Sequence, residues 1–176
     1  MHTLPPKRLE ATIEIACSPA DVWSVLGDFE GVKSWAPGLS DAYRTTGPDI
    51  DVGSRRSVTY RHLFTMEQVV TEWNEGARLS YAVFRAPWPL RDFFETWTIM
   101  PTVVGSTVRA QVAYDLWSGP VGRLVNRAFT HQVLRFEMRR GLQGLKAAVE
   151  GGLPRRDGKR SSHSRAPTNR GTPRVS

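Results

Sequence analysis

Between Leu39 and Asp115 the side chains alternate in polarity with period two, and from Gly119 to Glu150 apolar residues recur in steps of three and four. No other feature restricts the fold as strongly. Period two belongs to strands with one buried face, and steps of three and four keep side chains on one face of an α-helix. Strands are expected at Leu39 to Thr45, Ser54 to Arg61, Phe64 to Trp73, Arg78 to Phe84, Phe93 to Met100 and Thr107 to Tyr114. The connections are short and carry turn residues, as at Gly47-Pro48, Asn74-Glu75-Gly76 and Ala86-Pro87-Trp88-Pro89, which implies antiparallel neighbours.

Upstream, Ala11, Ile13 and Ile15 alternate with Glu10, Thr12 and Glu14 across Leu9 to Ala16, the pattern of a first strand. Ser18 then precedes Pro19 and Asp21. A hydroxyl at the N-cap, proline at the first helical position and an acid in the first turn start a helix. Its apolar face is Val22, Trp23, Val25, Leu26 and Phe29, and a second short helical turn, Val32 to Trp35, stops at Ala36-Pro37-Gly38.

The last helix opens at Gly119-Pro120 and ends at Gly151-Gly152 ahead of Pro154. One stripe along it reads Leu124, Ala128, His131, Arg135, Met138, Leu142, Leu145 and Val149. Burying a cation and an imidazole without partners costs several kcal/mol, so this helix is expected to lie over a space holding water, ligand or acidic groups, as a lid on a cavity. A second phase, Val121, Val125, Phe129, Gln132 and Phe136, would leave His131 and Arg135 at the flank of the buried face. Both phases are open at this level.

Length and charge narrow the function classes. The 176 residues, 40% of them hydrophobic, suit one globular domain with a full core. The net charge of +7 is concentrated beyond Glu150, where seven Lys or Arg face one acid, so the body is nearly neutral and lacks the basic face that tracking a phosphate backbone requires. The expected organisation is an extension at residues 1–8, a folded domain at 9–152 and a disordered basic tail at 153–176, whose polar composition cannot offset the entropy of ordering. Nucleic acid or an anionic membrane would be met only through that tail. Cys17 is the sole cysteine, residues 1–8 have no apolar core of a secretory signal, and no run of about eighteen apolar residues occurs. A cytoplasmic location is expected. His2, His62, His131 and His163 have no metal-ligand spacing, and no phosphate loop, dinucleotide fingerprint or Gly-x-Ser-x-Gly elbow is present, so neither a metal nor a cofactor is expected.

The order strand, two short helices, six-stranded antiparallel meander and long terminal helix resembles the helix-grip fold of the START-like superfamily, also called the Bet v 1-like or SRPBCC group. Ala11-Thr12-Ile13-Glu14-Ile15 followed by Ser18-Pro19-Ala20-Asp21-Val22-Trp23 is similar to its opening signature, and Asp28-Phe29 with Trp35-Ala36-Pro37 to its next segment. Val52-Gly53-Ser54-Arg55-Arg56, Thr71-Glu72-Trp73, Arg78-Leu79-Ser80-Tyr81 and Gly105-Ser106-Thr107-Val108 follow the order of its polyketide cyclase and dehydrase-like branch. The resemblance covers Leu9 to Glu150. It implies an α+β fold, a curved seven-stranded antiparallel sheet closed by the terminal helix over a cavity, and a hydrophobic small-molecule ligand of lipid, polyketide or quinone type. Some members of the branch cyclise or dehydrate such ligands.

Within that fold the candidate acid-base residues are Glu95, His131 and Arg135. Alternation with Phe93, Trp97 and Ile99 points Glu95 inward, where Arg85 or Arg135 would balance it; the opposite phase would put Thr96 and Thr98 inside. Without a cation, desolvation would raise the pKa of Glu95 and make it a proton donor. Arg56, Tyr60 and Tyr81 are candidates to bring polar ends into the same space, and Trp23, Trp35, Phe64, Met66, Trp97 and Phe136 to line it. Trp88, held between two prolines at a loop tip, is a candidate cavity gate. Three functions stay open: carrier or binding protein, cyclase or dehydratase, and interaction module acting through the tail.

Overall fold

The computed structural model describes residues 7–88, 90–116 and 129–152. Gly119-Pro120, residues 121–128 of both helix stripes and the basic stretch from Leu153 lie outside them. The chain order is β1 (Lys7–Ile15), α1 (Pro19–Leu26), α2 (Val32–Trp35), β2 (Leu39–Arg44), β3 (Arg55–Tyr60), β4 (Phe64–Asn74), β5 (Arg78–Phe84), β6 (Leu90–Thr102), β7 (Gly105–Leu116) and α3 (His131–Glu150). The first strand begins before the alternation from Leu9 indicates, because Lys7 and Arg8 continue its pairing opposite Tyr114 and Ala113.

All seven strands form one antiparallel sheet in the order β1-β7-β6-β5-β4-β3-β2. Consecutive hairpins account for β2 to β7, and β1 closes the far edge against β7. Register shifts at Leu39/Asp41, Val70/Glu72 and Leu90/Asp92 bend the strands, as extra residues in a ladder do, and the sheet curves. Strand β7 shows the amphipathic logic plainly: Ser106, Val108, Ala110, Val112, Tyr114 and Leu116 are all buried on one face.

Helix α1 starts as its sequence directs. Ser18 is extended and its hydroxyl accepts from the Asp21 amide at 3.2 Å, with Pro19 following at the first helical position. Val22, Trp23 and Leu26 are buried. Glycine is needed at Gly38, just before β2, where φ is +95° and a Cβ would collide with the ring of Tyr60.

Helix α3 is anchored at one end. Met138, Leu142 and Leu145 are its buried residues, the Glu150 carboxylate accepts from the Ala16 amide at 3.0 Å, and Lys146 Nζ donates to the Glu14 carbonyl at 2.6 Å. At Gly144 the helix backbone presses on α2, so that a Cβ would overlap the Trp35 carbonyl. One turn earlier the spacing opens: a Cβ on Gly141 would meet only the Trp97 ring, at 3.7 Å.

The two glycines therefore predict opposite signs. Gly141→Ala should raise unfolding stability by about 0.5–1 kcal/mol through helix propensity, while Gly144→Ala should lower it by about 1–3 kcal/mol through overpacking. Denaturant melts of the two variants check this, and equal shifts would contradict the close approach at Gly144.

Candidate functional site

Between the concave face of the sheet and the first half of α3 lies a cavity of about 550 Å³. Its wall is mostly apolar. Val58, Met66, Val83, Phe93, Trp97 and Val112 project from the sheet, Val32 and Trp35 from α2, and Leu134 and Met138 from α3. Trp35 and Trp97 meet edge to face at 5.7 Å. Trp88, Phe129 and Val133 line the cavity and are also exposed to solvent, so they form its rim.

Polar groups collect on the sheet side because antiparallel register places them in two adjacent rows. Arg56 on β3 pairs with Gln68 on β4, and Tyr81 on β5 pairs with Glu95 on β6. Arg56 is buried; its Nε donates to Gln68 Oε1 at 2.6 Å and its Nη1 to the Phe29 carbonyl at 3.0 Å. Its guanidinium also lies 4.8 Å from the Phe29 ring centroid and 4.4 Å from that of Tyr81, close enough for cation–π attraction on both.

Glu95 accepts from Trp97 Nε1 at 3.0 Å. Its carboxyl is enclosed by protein, and the surface it keeps opens on the cavity. Burial pushes its pKa above the ordinary 4.5, against the opposing pull of Arg56 and of the indole hydrogen bond. Burial also pushes the Tyr81 hydroxyl up to about 12, with Arg56 acting downward and Glu95 upward. Toward the rim, Tyr60 stacks on Phe64 at 5.4 Å and Arg61 pairs with Glu137 of α3 at 3.3 Å. Burial, followed by the nearby Glu137, raises the Tyr60 pKa.

Trp35, Arg56, Tyr60, Phe64, Met66, Tyr81, Glu95, Trp97 and the gate candidate Trp88 are thus wall residues. Five other candidates are not. Arg135 is exposed, because over the cavity the inward line of α3 runs through Thr130, Leu134, Glu137 and Gly141, leaving its guanidinium in water. His131 is half-buried outside the wall, its Nδ1 3.4 Å from the Tyr114 hydroxyl. Phe136 is 58% exposed, with Arg140 5.4 Å from its ring. Trp23 is core, packed edge to face on Trp73 at 5.0 Å. Arg85 sits at a left-handed position in its hairpin, φ +56°, and reaches Glu67 at 3.2 Å, so neither Arg85 nor Arg135 balances Glu95. That cation is Arg56, from the third strand over.

Sequence reasoning missed Gln68, Thr130 and Glu137. Gln68 alternates with Met66 and Val70, a signal that was present; Thr130 and Glu137 belong to a helix line that neither of the two phases contains. Among the described residues no three His, Cys, Asp or Glu side chains cluster as metal ligands, and no helix is long and apolar enough to cross a membrane.

Residues 6–150 match the profile of the family described as polyketide cyclase / dehydrase and lipid transport. The chain belongs to this family. Solved structures show its fold: XoxI from Bacillus cereus, 18% identical, superposes with a TM-score of 0.66 over 81% of this chain and 95% of that one. The ZhuI aromatase/cyclase from Streptomyces sp. R1128 is 11% identical, with a TM-score of 0.70 over 82% and 93%. The di-domain aromatase/cyclase StfQ of the steffimycin pathway is 15% identical, with a TM-score of 0.70 over 82% of this chain and half of its own. At these identities the likeness establishes the helix-grip fold of the Bet v 1-like superfamily and nothing finer. No curated protein matches the chain.

The raised pKa of Glu95 sets a direction for stability. The folded protein holds this proton more tightly than the unfolded chain, so the contribution of Glu95 is complete below the unfolded value and lost as pH rises through the folded one. Urea midpoints of the wild type, referred to Glu95→Gln, should therefore decline from about pH 4 toward neutrality; a flat difference would show that the carboxyl is not desolvated.

Proposed function

We propose that this protein binds a hydrophobic small molecule between the sheet and α3, as a carrier or binding protein. The carrying observation is the cavity of about 550 Å³ with an apolar wall and a small polar cluster at Arg56, Tyr81 and Glu95. That size and lining suit an organic ligand, with burial supplying affinity and the polar groups orientation. The family description, which joins polyketide cyclisation with lipid transport, supports a ligand of lipid, polyketide or quinone type.

One observation favours a second reading, an enzyme of cyclase or dehydratase type. Glu95 faces the cavity with its pKa raised by burial, the condition under which a carboxyl acts as a general acid. In that chemistry Glu95 would protonate a carbonyl or departing hydroxyl oxygen, with Arg56 and Tyr81 stabilising developing negative charge. The aromatase/cyclases among the structural neighbours support the same reading. His131 and Arg135 do not line the cavity, which supports assigning this chemistry to Glu95, Arg56 and Tyr81.

Native mass spectrometry of the freshly purified full chain should show a retained or accepted apolar molecule. Met66→Trp, which fills the cavity from β4, should weaken uptake of an apolar dye by about tenfold or more, and Arg139→Ala on the exposed face should not, given that lost pocket volume excludes ligand directly. Failure of a broad lipid and polyketide panel to bind would overturn the proposal. For the enzyme reading, Glu95→Gln should lower turnover by about a hundredfold or more while ligand is still bound.

A further inference from the structure

Resting on the binding reading above, we infer that the cavity is selective for ligands whose buried end carries an uncharged oxygen acceptor, a ketone, aldehyde or quinone carbonyl received by Glu95, and that it rejects ligands ending in a carboxylate.

The cation that a carboxylate would require is largely engaged elsewhere. Arg56 donates from Nε to Gln68 and from Nη1 to the Phe29 carbonyl, and the Phe29 and Tyr81 rings lie against it. Tight carboxylate binding uses two parallel N–H groups of an open guanidinium fork, and Arg56, only 4% exposed and with Nε and Nη1 engaged by neutral acceptors, has little of that fork left to present. The remaining charged residues of the wall are acids, Glu95 and Glu137. Glu137 is held by Arg61 at 3.3 Å, which leaves Glu95 to meet the ligand.

Glu95 has one oxygen in use. Oε1 accepts from Trp97 Nε1, and Oε2 has no hydrogen-bond partner among the described residues. An ionised Oε2 would repel a carboxylate; a protonated Oε2 is a donor in need of an acceptor, and a carbonyl supplies one without adding charge to an apolar wall. Other groups around it are accounted for: Arg56 from β3 favours the ionised form, Tyr81 from β5 stays neutral, Val112 from β7 is apolar, and His131 of α3 is turned to Tyr114. Proton occupancy at Glu95 therefore governs whether the carbonyl is received.

Two probes with one ring skeleton test this, 2-acetylnaphthalene and 2-naphthoate, titrated into the full chain by calorimetry with Nile red as an apolar control. The ketone should bind about tenfold or more tightly than the carboxylate, the scale of one buried hydrogen bond against one uncompensated charge. Ketone affinity should fall as pH rises past the ordinary carboxyl range, because Glu95 loses the proton it donates. Glu95→Gln, whose amide donates without titrating, should bind the ketone with an affinity independent of pH, Glu95→Leu should lose the preference for ketone, and His131→Gln should keep the pH dependence. Equal or tighter binding of 2-naphthoate overturns the inference, as does a pH dependence that survives in Glu95→Gln. Uptake of Nile red with no discrimination between the naphthalenes overturns this inference alone, whereas failure of all three to bind overturns the binding reading with it.

Discussion

The cavity exists because α3 packs closely at its last turns, whereas nearer its start it is reached through side chains, Glu137 by Arg61 and His131 by Tyr114. Its last turns are fastened to β1 through Glu150 and Lys146 and rest on α2 at Gly144, where the backbone approaches the Trp35 carbonyl too closely for any side chain. A rigid helix seated this way on a curved sheet closes against the sheet at its anchored end. Toward its start it stands off, and the space beneath is bounded by large side chains without being filled. Well-packed interiors leave few voids larger than a water molecule, so a cavity of about 550 Å³ is a departure that the anchoring and the curvature impose together.

Within that space the polar groups are few and mutually constrained. Arg56 ties together the segment after α1, through the Phe29 carbonyl, and strands β3, β4 and β5, through its own backbone, Gln68 and the Tyr81 ring. A buried guanidinium needs partners for its donors and faces, and here neutral groups meet Nε, Nη1 and the faces. Glu95 stands near enough to feel this charge, yet desolvation prevails over it. The outcome is a small polar floor, one buried guanidinium with a desolvated carboxyl and a phenol beside it, under an otherwise apolar chamber.

Much of the architecture was readable from the amino-acid order. One buried face per strand writes itself into the sequence as alternation, and all six meander strands appeared near their expected positions. Glu95 was legible for the same reason, sitting between Phe93 and Trp97 on a run whose apolar partners face inward. Its cation was not. Arg85 lay on the preceding hairpin arm, but its hairpin turns it outward to Glu67, and Arg56 reaches the same neighbourhood from three strands away through cross-strand pairing and curvature. On α3 the stripe through Met138, Leu142 and Leu145 is buried as its spacing indicates, yet continuing it backward through Arg135 fails. The cavity-facing line over the first half runs through Leu134, Glu137 and Gly141 instead, beside a stripe that the helix turns away from the sheet.

Local chemistry thus dictated the elements: where strands alternate, where Ser18 and Pro19 start a helix, and which carboxylate points inward. These are properties of residues within a few positions of one another, and a one-dimensional pattern records them. The cavity, the partner of Glu95 and the facing of α3 depend on how far one surface stands from another. That distance is set by contacts such as Glu150 on Ala16, 134 residues apart, and Gly144 on Trp35. No local pattern encodes a separation between surfaces, so only the folded chain could decide them.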